Sequence, residues 1–173
     1  MMRMLARLLA VLNSETHPGQ ISLGFCFAMV AGFTPLMSLH NLLVLLLVLV
    51  IRVNLSAFLL GLPLFSGLAF GLDPLFHRVG LAVLTNDSLA GLWTSLYNST
   101  LWRLEHFNNS IVMGSLLVSL LAFAPLYVLS NLAIRRYRAH VLAWVEKTRV
   151  MQLLKASRFY SMYQSFSGMG GGL

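Results

Sequence analysis

The sequence predicts an all-α protein embedded in a membrane, with several transmembrane helices, a broken or re-entrant hairpin and amphipathic surface helices. First, 58% of the 173 residues are hydrophobic and only 10% are charged, whereas about a quarter of the residues of soluble domains are charged. Second, residues 20–51 and 111–134 contain no Asp, Glu, Lys or Arg. Third, most of the net charge of +7 lies in residues 135–173. This asymmetry indicates membrane topology rather than nucleic-acid binding.

Residues 1–13 predict a short interfacial helix, because Arg3 and Arg7 lie opposite an apolar face. Residues 20–51 would form a helix of about 48 Å at 1.5 Å per residue, longer than a hydrocarbon core of about 30 Å. A break is therefore expected, and Gly32-Phe-Thr-Pro35 is the candidate, since proline removes a backbone donor. We predict helices at 20–33 and 36–51.

The rest of the chain predicts two further spans, at 55–72 and 111–134. Asp73 followed by Pro74 is typical of a helix N-cap, so surface helices are expected at 74–107, on the periplasmic side of the membrane. Residues 136–164 predict a basic amphipathic helix in the cytoplasm. The charges then require residues 20–51 to enter and leave on one face, with both termini cytoplasmic, in a bacterial inner membrane.

Polar residues surround the predicted break at membrane depth, where such groups are costly. One interpretation is a substrate or proton path, and the other is hydrogen bonding that seals the broken helix. Sealing is favoured, because no acidic residue lies within the apolar segments. The residues concerned are Gly32, Thr34, Pro35, Ser38, His40 and Asn41.

Small residues recur at intervals of four, which allows close approach of helices in lipid. They predict packing between helices of one chain rather than an interface between two chains. The residues are Gly24 and Ala28, which continue to Gly32, and Gly67 and Gly71.

The basic tail helix is expected either to anchor the chain on anionic lipid headgroups or to dock a partner, with Trp144 as an anchor. These alternatives are evenly balanced. The residues are Arg135, Arg136, Arg138, Trp144, Lys147, Arg149, Lys155 and Arg158.

No catalytic residue, cofactor site or metal site is predicted. The five acidic residues are scattered, and the single cysteine, Cys26, has no partner for a disulfide. Asp73 and His77 share a helical spacing, but capping explains Asp73 better than metal binding. We therefore expect a protein that is not an enzyme.

Residues 17–80 resemble a bacterial domain-of-unknown-function family, number two-zero-six-two. The shared pattern is Pro18, Leu23-Gly24, Gly32-Phe-Thr-Pro35, Arg52-Val-Asn-Leu-Ser-Ala57 and Gly61. Relatives commonly have glycine at the position of Ser38, glutamine at that of His40, and Asn-Pro after the equivalent of Gly61. The resemblance implies a small inner-membrane protein of no established activity.

The whole chain also resembles a longer, stand-alone subgroup of this family. That resemblance implies a partner, a large envelope protein similar to the AsmA-type lipid-transfer bridges. The expected function is a non-enzymatic subunit that anchors or feeds an envelope complex moving phospholipid, with membrane lipids as further partners, no nucleic acid, and homo-oligomers left open. The alternative is a transporter or flippase whose path runs beside the break at Pro35.

Overall fold

The computed structural model describes residue 11 and residues 16–142, and within them the chain is helical without a β-strand. The predicted all-α class is therefore confirmed. A 3₁₀ turn, Asp87–Leu89, precedes the fourth helix, and a π-helical turn, Tyr137–Leu142, follows the last. The α-helices are α1 (Pro18–Phe33), α2 (Leu39–Val50), α3 (Leu55–Leu84), α4 (Ala90–Tyr97), α5 (Thr100–Leu104) and α6 (Ser110–Arg136).

Polar side chains cap the N-termini of three of these helices. The His17 Nδ1 atom accepts a hydrogen bond from the Gly19 N–H at 3.1 Å. The Asn54 Oδ1 atom accepts one from Ala57 at 2.8 Å, and the Asn109 Oδ1 atom accepts one from Ile111 at 2.9 Å. Each supplies an acceptor to a backbone N–H that has no partner within its helix.

Helices α1, α3 and α6 pack together as the core of the fold. Contacts between α1 and the first half of α3 keep a constant offset, Gly24 with Ala57 and Gly32 with Phe65, so these helices run parallel. Helix α6 runs antiparallel to both, because its start contacts Gly80 while Ile134, near its end, packs with Ile21 and Ala57.

The predicted interruption lies between Phe33 and Leu39. Beyond it the chain returns along α1: the Asn41 side chain reaches the Ala31 carbonyl near the end of α1, and the Asn54 N–H bonds to the Gln20 carbonyl near its start. Helices α1 and α2 therefore form a helical hairpin, whose tip is the segment Thr34–Ser38 with the first turn of α2.

The predicted boundary at Asp73-Pro74 is wrong. Helix α3 continues from Leu55 to Leu84 with Pro63 and Pro74 inside it. Its second half is held by tertiary packing, since Phe76 is fully buried and Gly80 contacts α6. The surface helices predicted for 74–107 therefore begin only after residue 84, while the helix predicted at 111–134 extends to 110–136.

Within the described residues, two helices are long and apolar enough to cross a membrane, Leu55–Leu84 and Ser110–Ala139. The shorter helix α2 is apolar on almost every side. Six of its large apolar side chains are exposed, namely Leu42, Leu43, Leu45, Leu46, Leu49 and Val50. The predicted helix 1–13 and the tail beyond residue 142 lie outside the described residues.

Candidate functional site

Side chains at the tip of the hairpin donate hydrogen bonds to backbone carbonyl groups around the break. The Thr34 hydroxyl donates to the Val30 carbonyl at 2.8 Å. The Asn41 amide reaches the Ala31 carbonyl at 3.4 Å, which has no helical N–H partner because residue 35 is proline. The Asn41 amide donates to the Pro35 carbonyl at 2.9 Å, and Asn41 is only 2% exposed. Thr34 and Asn41 are therefore both engaged in hydrogen bonds to backbone carbonyl groups at the break. Whether the break also lines a path stays a prediction.

His40 has a different partner, the carboxylate of Glu105. One carboxylate oxygen, Oε2, accepts the backbone N–H of His40 at 3.1 Å, and the other, Oε1, contacts the ring atom Nδ1. Both side chains are largely buried, with 12% and 8% of their surfaces exposed. Ser38, the N-cap residue of α2, makes no capping bond with its side chain. Glu105 therefore caps α2 from a different part of the chain, where a negative charge also suits the helix dipole.

Ser38 extends this pair into a chain of hydrogen bonds. Its hydroxyl donates to the Pro35 carbonyl at 2.8 Å, and its oxygen lies 3.0 Å from the His40 Nε2 atom. A hydroxyl has one proton to donate. Because that proton is directed at the Pro35 carbonyl, the Ser38 oxygen is left as an acceptor for the N–H of the His40 ring at Nε2.

A sharp turn after α5 delivers Glu105 to this position. The next residue, His106, has a positive φ of 54°, which is uncommon for a residue other than glycine. Phe107 is buried, 6% exposed, and its ring lies 6.1 Å from that of Trp93. The Trp93 indole in turn donates to the Val83 carbonyl at the end of α3. The segment after α3 is thus held against both the bundle and the hairpin tip.

A cavity of about 350 Å³ lies beside the pair. Its walls come from α2, α4, α5 and the start of α6, and they are apolar apart from His40 and Glu105. Its apolar lining includes Leu39, Leu43, Leu101, Trp102, Met113 and Leu116.

The predicted packing glycines fall into two groups. A side chain at Gly24 or Gly32 would lie about 2.9 Å from the Cβ atom of Ala57 or Phe65, and Ala28, which is fully buried, lies against Gly61. These small residues therefore allow α1 to approach α3 within one chain. The packing predicted for Gly67 and Gly71 is not found: no atom of the described residues lies within 4 Å of a Cβ placed at either.

The shortest approaches to a glycine in the described part of the chain, at Gly80 and Gly114, were not predicted from the sequence. A Cβ atom at Gly80 would overlap the Ser110 carbonyl, and one at Gly114 would overlap the Phe76 carbonyl. Ser110 and Gly114, and then Ser115 and Ser119, repeat the spacing of four used for α1. That spacing was the available signal.

Three of the predicted basic residues lie in the described part of the tail. Arg135 and Arg136 are exposed, and the Arg135 Nε atom donates to Asn131 at 3.1 Å. The Arg138 guanidinium donates to the Thr16 carbonyl at 3.0 Å, so it ties the end of the last helix to the start of α1. Trp144, Lys147, Arg149, Lys155 and Arg158 lie outside the described residues.

No group of three or more His, Cys, Asp or Glu side chains converges on a metal-sized site within residue 11 and residues 16–142. Cys26 is buried, and its thiol lies 3.5 Å from the Phe123 carbonyl. The sequence did not indicate the acidic partner of His40, because Glu105 lies 65 residues away and outside the apolar segments.

These features define an all-helical protein with two helices of membrane-spanning length, a broken helical hairpin and a buried histidine–carboxylate pair. Residues 2–142 match the family described as "Uncharacterized protein conserved in bacteria (DUF2062)", and the chain belongs to that family. The resemblance seen in the sequence is thereby confirmed.

One similar protein is an uncharacterized protein of Treponema pallidum (strain Nichols). It is 26% identical over 155 residues, which cover 90% of this chain and 96% of that protein. No solved structure matches the chain.

Proposed function

We propose that the protein is a non-enzymatic, multi-pass subunit of the bacterial inner membrane that anchors or feeds a larger, phospholipid-moving envelope complex. The observation that carries the membrane location is the exposed apolar surface of its helices. In α2 alone, Leu42, Leu46 and Leu49 are 64%, 56% and 77% exposed. Soluble monomers rarely expose apolar patches of this kind, whereas a lipid bilayer covers them without cost.

In the proposed topology, α3 and α6 span the bilayer and the hairpin of α1 and α2 is re-entrant. Arg52 and the exposed Arg135 and Arg136 then lie on the cytoplasmic side, as the distribution of basic residues favours. The Asn54 side chain donates to Thr16, and Arg138 donates to the Thr16 carbonyl. These bonds bring both ends of the hairpin and the end of α6 to the same side of the bundle.

The partner's membrane segment would lie on the exposed face of α2 and on the aromatic segment after α3. The family resemblance supplies the partner class, an AsmA-like bridge protein. Gentle detergent extraction from native membranes should therefore recover the chain together with such a protein, identified by mass spectrometry.

A matched pair of triple variants makes this experiment specific. Replacing Leu42, Leu46 and Leu49 with alanine should abolish recovery of the bridge protein. Replacing Leu121, Leu129 and Leu132, which are similarly exposed on α6, should leave it unchanged. Recovery of only the free monomer of the natural chain would contradict the proposal.

The second candidate function is a transporter or flippase whose path passes beside the break at Pro35. The observation that favours it is the His40–Glu105 pair at the edge of an apolar cavity. It predicts that His40→Ala and Asn41→Ala abolish lipid flipping or uptake in proteoliposomes while both proteins are still inserted. Unaltered transport in correctly inserted variants would remove this route.

A further inference from the structure

We propose that the cavity beside the hairpin tip binds one acyl chain of a membrane lipid, and that the His40–Glu105 pair holds its walls together. The inference deepens the proposed function and rests on its membrane location. It assigns a ligand class and a binding site, which a purely anchoring subunit would not need.

The chemistry of the lining selects an apolar ligand. Apart from His40 and Glu105, the lining is hydrocarbon, aromatic or thioether. The hydrogen-bonding atoms of His40 and Glu105 are directed at each other and at Ser38. A polar ligand would lose its bonds to water here without replacing them, which is costly. The volume of about 350 Å³ lies at the lower end of the range for small-molecule sites, roughly 300–1,000 Å³.

The position of the opening identifies the source of that ligand. Leu39 and Leu43 line the cavity and are also 41% and 56% exposed, so the apolar surface of α2 continues from the cavity wall. That surface continues through Leu42 and Leu46, which the proposed topology places in the hydrocarbon. The cavity therefore opens sideways into lipid, so an acyl chain can enter without crossing water.

Glu105 connects two walls of the cavity that come from distant parts of the sequence. It follows α5, which supplies Leu101 and Trp102, and it is bonded to the first turn of α2, which supplies Leu39 and Leu43. Loss of the carboxylate would release α5 from α2 and widen the cavity. Bound lipid should then fall in Glu105→Ala and be retained in Glu105→Gln, since the amide oxygen can still accept the His40 N–H.

The test uses the full chain in nanodiscs that contain a phospholipid with a diazirine in its acyl chain. Crosslinked residues are located by mass spectrometry after illumination. In the natural chain we expect labels on residues of the cavity walls as well as on the outer surface. Met113→Trp should reduce wall labelling about fivefold or more, since the larger side chain occupies part of the volume that the acyl chain would fill; fivefold corresponds to about 1 kcal/mol of binding free energy.

Leu120→Trp is the matched control, because Leu120 is exposed on the same helix and does not line the cavity. It should leave wall labelling unchanged. Leu101→Trp fills the cavity from the opposite wall and replaces Met113→Trp if that variant does not fold. Labelling confined to outer residues such as Leu121, or equal in filled and natural chains, would overturn the inference.

This failure is distinguishable from failure of the proposed function. A chain that remains in the membrane and still recovers its bridge protein, but has no label in the cavity, contradicts the acyl-chain site alone. A chain recovered in the aqueous fraction contradicts the membrane location and the site together.

Discussion

One carboxylate oxygen of Glu105 caps the helix that begins at Leu39 by accepting the backbone N–H of His40, and the other oxygen contacts the His40 ring. One acidic residue thus stabilises the start of a helix 65 residues earlier in the chain. It also fixes the segment between α3 and α6 against the hairpin tip.

Glu105→Ala should therefore destabilise the folded protein by about 1–3 kcal/mol, because the backbone N–H and the ring Nδ1 atom of His40 would both lose their largely buried partner. Glu105→Gln should cost less, since it keeps an acceptor for the helix terminus. Thermal unfolding in detergent measures both. Asp87→Ala is the control, because Asp87 is exposed and such changes usually stay within about 0.5 kcal/mol. Equal losses in the three variants would show that the pair contributes nothing.

Gly114→Ala should prevent correct folding, because the added methyl group would overlap the Phe76 carbonyl. Gly67→Ala provides the comparison, since a Cβ at Gly67 meets no atom of the described residues. That change should be neutral or stabilising by up to about 1 kcal/mol, since glycine weakens helix interiors. Size-exclusion profiles and membrane yield report the difference. Normal yield and melting of Gly114→Ala would contradict the close approach of α3 and α6.

Asn41→Ala should destabilise the hairpin tip by about 1–3 kcal/mol, the usual cost of unsatisfied buried polar groups. The buried Ala31 carbonyl would lose its amide donor, and the Thr34 hydroxyl would lose its contact with the Asn41 oxygen. Asn98→Ala is a suitable control, because Asn98 is exposed at the end of α4. Proteolysis near residues 34–38 should increase in Asn41→Ala only; equal cleavage in both variants would argue against a sealing role.

Single cysteines in a Cys26→Ala background test the proposed topology. A cysteine at Arg52 should react with an impermeant maleimide only when the cytoplasmic face is accessible. A cysteine at Asp87 should react from the outside of intact cells. Both positions are exposed, so burial would not prevent the reaction. Reaction of both positions from one side would contradict the re-entrant hairpin with α3 crossing the bilayer.

The hairpin was predictable because the length of the uncharged segment and the residues within it both indicate an interruption. An uncharged segment longer than the bilayer must be interrupted, and Gly32 and Pro35 indicate where. The end of α3 was not predictable in the same way. Asp73-Pro74 has the residues of a helix start, yet packing of Phe76 and Gly80 against α6 keeps the helix continuous. Tertiary contacts outweigh local preference at this position.

The candidate site was only half predictable. His40 stands out because it is a titratable side chain in an apolar setting, and the break places it beside Ser38. Its partnership with Glu105 depends on how the segment after α3 folds back, and this follows from Phe107, Trp93 and the positive φ of His106. No short-range pattern in the sequence encodes a contact of that separation.

The shortness of α2 has a consequence for the surrounding lipid. A helix of 12 residues rises about 18 Å, little more than half of a hydrocarbon core of about 30 Å. In the proposed topology Glu105 brings polar backbone from the opposite side down to meet it. Hydrophobic mismatch of this kind is relieved by local thinning of the bilayer. Phospholipids next to α2 would then be less firmly held than their neighbours, which lowers the barrier to their extraction.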